Sequence, residues 1–128
     1  MNQFLTDFIN IKATPLYREK FSQPEKGEYI FSYKIEIRND SQDTIQLLSR
    51  HWYIFDSCGQ YSEVKGEGVI GKQPIILPEQ NFSYESFCQL KTDVGCMWGN
   101  YLMKNQQTNR LFEVAIPEFQ LITPMRLN

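Results

Sequence analysis

The sequence predicts an all-β protein: an antiparallel two-sheet sandwich of roughly seven to eight strands, similar to immunoglobulin or fibronectin type III domains. Three observations carry this. Apolar and polar residues alternate with period two along several runs. Turn-forming residues separate those runs at a spacing of about 8–12 residues. No stretch shows the 3.6-residue period of a helix. Aromatic residues make up 14% of the chain, with nine Phe and seven Tyr, and strengthen the bias toward strands. The 128 residues are read as one domain, 1–128. That length can bury about 68% of its unfolded surface.

The first strand is read at Ile9-Asn10-Ile11-Lys12-Ala13. In residues 29–38 every odd position is apolar, while Ser32, Lys34, Glu36 and Arg38 take the other face, the pattern of a half-buried strand. Asn39-Asp40-Ser41-Gln42-Asp43 supplies turn chemistry. In the next strand, 44–55, Ile45 and Leu47 share one parity and Trp52 and Ile54 the other, so a β-bulge or bend is expected across Leu48-Ser49-Arg50-His51. Asp56-Ser57-Cys58-Gly59 turns the chain again. Phe82, Tyr84, Cys88 and Leu90 mark a further strand, and Asp93-Val94-Gly95 is read as the turn before a strand at 96–104. Phe112, Val114 and Ile116 define another, which Pro117 is expected to stop before a last short strand at Phe119-Gln120-Leu121. All six prolines are read as lying between runs.

Thirteen basic and fifteen acidic residues give a net charge of −2 without a clustered basic block, so no nucleic-acid footprint is expected. Cys58, Cys88 and Cys96 are an odd number without a CxxC pair, which points to a reducing, cytoplasmic setting rather than a disulfide framework. The amino end lacks a signal-peptide pattern, and no apolar run approaches the ~20 residues of a membrane helix.

Gly66-Glu67-Gly68-Val69-Ile70-Gly71 spells a literal GxGxxG. A dinucleotide fingerprint needs a helix to follow, but Lys72-Gln73-Pro74 comes next and forbids one. Two readings stay open: a glycine-kinked loop, and a backbone nest holding a phosphate-containing anion without a helix. Lys65 and Lys72 flank the loop and would supply charge, giving an anion set of Arg50, Lys65, Gly66, Gly68, Gly71 and Lys72. Arg50 is read as an outward guanidinium at the bulge, suited to a structural salt bridge or to an anion or carboxylate held in bidentate fashion.

The run 29–39, the string Gln46-Leu47-Leu48-Ser49-Arg50-His51-Trp52 and the glycine segment 64–74 occur in order. They are followed by Gly95-Cys96-Met97-Trp98-Gly99-Asn100-Tyr101 and Phe112-Glu113-Val114-Ala115-Ile116-Pro117-Glu118-Phe119. Together these five blocks resemble the ApaG domain family, over nearly the whole chain from Ile9 to Asn128. The resemblance implies a fibronectin-III-like sandwich and a bacterial protein whose name carries a link to cobalt resistance and magnesium transport. It also implies partner binding, since similar domains sit inside F-box proteins and a polymerase-δ-interacting protein. The family brings no agreed catalytic residues, and none is carried over. The chain departs from the family pattern in three places. Pro78-Glu79-Gln80 lacks the usual glycine, Tyr84-Glu85-Ser86-Phe87 lacks the usual threonine and final glycine, and Asn109 stands for a turn glycine. Asn tolerates left-handed backbone, so that turn is expected to survive.

His51, the only histidine, is read as a packing or hydrogen-bonding residue beside Trp52. The cysteines lack the close spacing of a zinc site, and Cys88 and Cys96 are read as core. Trp98 and Tyr101 are read as core aromatics unless exposed. No metal, cofactor or catalytic group is expected. The expected function is a non-catalytic binding module for an unknown protein partner, its link to metal handling being indirect. The alternative is a phosphate-anion or nucleotide sensor at the glycine loop. Exposed strand edges also predict a homodimer.

Overall fold

The computed structural model describes residues 5–127; residues 1–4 and 128 of the expected domain lie outside them. Eight strands form two antiparallel sheets, and the remaining regular structure is short 3-10 turns. The smaller sheet has the order β1-β2-β6, from β1 (Ile9–Tyr17), β2 (Tyr29–Asn39) and β6 (Asn81–Leu90). The larger runs β4-β3-β7-β8, from β3 (Ile45–Asp56), β4 (Gln60–Glu67), β7 (Val94–Asn105) and β8 (Leu111–Ile122). The two-residue β5 (Ile75–Ile76) adds a fifth strand beside the start of β3.

The period-two runs account for the core. Phe31, Tyr33, Ile35 and Ile37 from β2 meet Trp52, Met97, Tyr101, Met103, Val114 and Leu121 from the larger sheet in one buried cluster. Trp52 packs edge-on against Tyr33, Tyr101 and Phe119. The turn after β2 is held by Asn39, whose buried amide donates to the carbonyls of Asp43 and Ile76 and accepts from Ser41. The bulge falls where the parity change places it, between Leu47 and Ser49.

Three sequence expectations are corrected. Pro15 lies inside β1, which continues to Tyr17, and Pro117 lies inside β8, where a register shift absorbs it and no new strand begins. Both are edge strands of their sheets, where a missing N–H costs no ladder bond. Val94 and Gly95 already belong to β7, and the turn before it spans residues 91–93. The strand β4 carried no alternation that would have revealed it, because nearly its whole length is exposed.

Candidate functional site

The glycine segment is a hairpin turn at the end of β4. Val69 and Lys72 exchange both backbone hydrogen bonds, at 2.8 and 2.9 Å, across Ile70 (φ 43°) and Gly71 (φ 77°). Positive φ at both central residues is the signature of a type I′ turn. Gly68 also has a positive φ of 64°, and a Cβ there would stand 2.1 Å from the Lys72 carbonyl oxygen. The glycines therefore serve close backbone approach and left-handed geometry.

Arg50 is inward, contrary to the outward expectation. The bulge gives it the parity of Trp52, and it reaches beneath β4 to donate from Nη1 to the carbonyls of Glu67 (3.1 Å) and Gly68 (2.9 Å). Gly66, its register partner, leaves the space. The loop thus turns carbonyls toward the guanidinium, while the N–H groups of Gly68, Val69 and Lys72 are engaged with backbone oxygens. A nest needs those N–H groups free and convergent. Lys65 and Lys72 are exposed on either side of the glycines, and Arg50 comes from the neighbouring β3 to the carbonyls of the same segment.

Behind Arg50 lies a group of buried phenols. Tyr84 and Tyr101 share a hydrogen bond of 2.5 Å across the two sheets. Burial pushes the hydroxyl of Tyr33 above the ordinary tyrosine range and those of Tyr84 and Tyr101 well above it, with Arg50 a small opposing influence. Burial likewise pushes the Cys88 thiol up to about 11. Cys88 is buried as expected, whereas Cys96 is half-buried on the outer face and Cys58 is exposed at the β3–β4 turn; all three thiols are free. Among the described residues no three His, Cys, Asp or Glu side chains converge as metal ligands.

The outer face of the larger sheet carries what residue-by-residue reading missed. Tyr53 and Trp98 are register partners on β3 and β7, and their rings stack at 5.7 Å with 13° between planes. His51 also stacks on Tyr53, at 4.4 Å, and Tyr61 from β4 meets Trp98 edge-on at 5.8 Å. His51 Nε2 and Glu63 Oε1 are 2.7 Å apart, so the expected hydrogen-bonding role of the histidine is realised outside the core. Phe55 and Tyr61 remain 37% and 54% exposed. The signal was available: Tyr53 and Phe55 have the parity opposite to Trp52, so they had to face outward.

The model for the ApaG domain matches residues 19–105. The chain belongs to the ApaG domain family. Relatives include Protein ApaG of Methylobacterium sp. (strain 4-46), 45% identical over 116 residues, or 91% of this chain and 88% of that protein. Protein ApaG of Brucella abortus (strain S19) is 41% identical over 124 residues, covering 97% and 95% of the two chains. A crystal structure described as the putative ApaA protein from Bordetella pertussis superposes with a TM-score of 0.88 at 38% identity, covering 91% of this chain and 94% of that one. The ApaG fold is thus the sandwich described above. Among the described residues no helix is long and apolar enough to cross a membrane.

Proposed function

We propose that this ApaG domain is a non-catalytic protein–protein interaction module, and that a partner meets the outer face of its five-stranded sheet. The observation that carries this is the ladder His51–Tyr53–Trp98–Tyr61 on a solvent-facing surface, with Phe55 beside it. Tyr and Trp offer large contact area for little side-chain entropy, and they dominate the residues on which binding energy concentrates. Here stacking fixes the rings before any partner arrives, so little ordering remains to oppose binding. Catalysis finds no comparable support: among the described residues His51 bonds to Glu63 and to no hydroxyl or thiol. The association of ApaG with cobalt resistance and magnesium transport would run through the partner. The phosphate-anion alternative draws little from a loop in which the N–H groups of Gly68, Val69 and Lys72 are already bonded.

The test compares immobilised wild-type domain with Tyr61→Ala and Trp98→Ala in extracts of the native host. Phe87→Ser, on the opposite sheet, serves as the control. A protein retained by wild type and Phe87→Ser, and at least tenfold less by both aromatic variants, supports the reading. Its purified form should reproduce the difference in Kd. If no protein distinguishes the two faces, the reading fails.

A further inference from the structure

Among the described residues one edge of the larger sheet is open. β8 is flanked by β1, but β4 pairs only with β3 there, and β5 lies beside the other end of β3. Gly68 N–H bonds inward to the Leu48 carbonyl at 2.7 Å. Successive peptide groups of a strand point in opposite directions, so Gly66, Val64 and Ser62 also direct their backbone groups toward β3. Tyr61, Glu63 and Lys65 direct theirs outward, along the free edge. Beyond them Arg50 Nη1 reaches the Glu67 carbonyl, which lies on the same outward side. The open stretch is therefore central in β4 and bounded at one end by the arginine.

An exposed edge of this length invites another strand, and charges along it decide which one. We propose that the occupant is a second copy of this chain, paired antiparallel through β4 about a two-fold axis at Val64. The side-chain sequence favours that arrangement, because it is the register that sets Glu63 opposite Lys65 of the second copy. An axis at Glu63 would set this carboxylate against its own copy, and an axis at Lys65 would set two ammonium groups together. Like charges directly opposite each other destabilise a pair. An axis at Gly66 would leave only the end of the strand overlapping. With the axis at Val64, each Glu63 faces Lys65 of the second copy on the outer face, and their outward backbone groups are the ones that meet. On the other face Val64, 42% exposed in one copy, packs against Val64 of the second. The contact is isologous and closes on itself. It also joins the two larger sheets, so the Tyr61–Trp98 aromatics of both copies lie on one continuous surface. The proposal rests on the strand edge and stands whether or not that surface binds a partner.

The test uses the full chain with the exposed Cys58 replaced. In an antiparallel pair, residues opposite each other without ladder bonds have Cα atoms about 4.5 Å apart, within disulfide range. Cys58→Ser/Val64→Cys should therefore form a covalent dimer under mild oxidation. Cys58→Ser/Glu63→Cys should form it at least tenfold more slowly, because position 63 faces position 65. Sedimentation supplies the second arm: Lys65→Glu should weaken self-association at least tenfold, and Glu63→Lys/Lys65→Glu should restore it. Equal crosslinking at positions 63 and 64, or self-association that Lys65→Glu leaves unchanged, would overturn the proposal, as would a chain that stays monomeric at millimolar concentration.

Discussion

The guanidinium of Arg50 lies against the backbone of Gly66, and a Cβ at that glycine would stand 2.7 Å from Nη1, 2.8 Å from Nη2 and 2.9 Å from Cζ. Near-equal distances to three guanidinium atoms place that missing carbon over the face of the group. The absent side chain is what lets an arginine on β3 cross beneath β4 and bind the carbonyls of Glu67 and Gly68. The glycine-rich segment and the arginine are one device for ending β4 and starting its turn.

Arg50→Met should therefore lower stability by about 2 kcal/mol, the range for losing charged hydrogen bonds, of which the one to Gly68 is partly buried. Gly66→Ala should destabilise by displacing the same guanidinium. In the Arg50→Met background that second change should cost about 1 kcal/mol less, since contacting residues are not additive. Urea unfolding of the four proteins in this cycle measures the coupling. Simple additivity would separate the glycine from the arginine.

Two left-handed residues should be improvable. Ile70 has φ 43° at the first central position of its turn, where a β-branched side chain is strained. Glu79 has φ 67° directly after Pro78, and Gln80 N–H closes that turn on the Leu77 carbonyl at 3.1 Å. Proline at the second position and positive φ at the third describe a type II turn, which prefers glycine there. Ile70→Asn and Glu79→Gly should each raise stability by about 0.5–1 kcal/mol. Gly68→Ala should instead lose more than Gly71→Ala. Both have positive φ, but a Cβ meets the Lys72 carbonyl only at Gly68. Melting temperatures of the four variants give the order.

These positions show what could be read in advance. Alternation in β2 and the parity change at the bulge were legible because half-buried strands write their faces into the sequence. Asn109, standing for a family glycine, does adopt the left-handed backbone expected of it, with φ 61°. Edge strands were less legible. Pro15 and Pro117 read as breaks, because the sequence does not show that the lost N–H faces away from a neighbour. The inward turn of Arg50 follows from the parity switch itself, but a charged residue beside a bulge reads as solvent-facing. The aromatic ladder escaped because Tyr53 and Trp98 are far apart in sequence and meet only through β3–β7 register.

Pyrophosphate titrated into the domain at millimolar concentration should give negligible heat, and Lys65→Ala/Lys72→Ala should behave like wild type. The reason is the consumed N–H groups of Gly68, Val69 and Lys72. A salt-sensitive heat seen with wild type and lost in the double variant would return the glycine loop to the front as an anion site. Exposed charges are screened over about 8 Å at physiological ionic strength, so such a signal should fade with added salt.

The buried acids should set the alkaline limit of the fold. Cys88 is raised from 9.0 to about 11, and Tyr33, Tyr84 and Tyr101 are raised from 10.0, all chiefly by burial. Each is neutral in the folded protein at a pH where the unfolded chain has begun to lose the proton. Above that point the native state binds more protons than the unfolded one, so stability falls as pH rises. The contribution is fully present below pH 9.0, weakens first through Cys88, and weakens faster beyond 10.0 as the three phenols join. Each linked proton adds about 1.4 kcal/mol of lost stability per pH unit. Melting temperature should accordingly hold level near neutrality and drop with increasing slope above these values. Phenolate absorbance should show these three tyrosines ionising together with loss of the near-ultraviolet dichroism that reports packing. Tyr101→Phe separates this linkage from a general alkaline effect. It should cost stability at neutral pH, because Tyr84 loses its 2.5 Å partner, yet it should make the alkaline decline shallower by removing one linked proton. A decline equally steep in the variant would place the alkaline sensitivity in other groups.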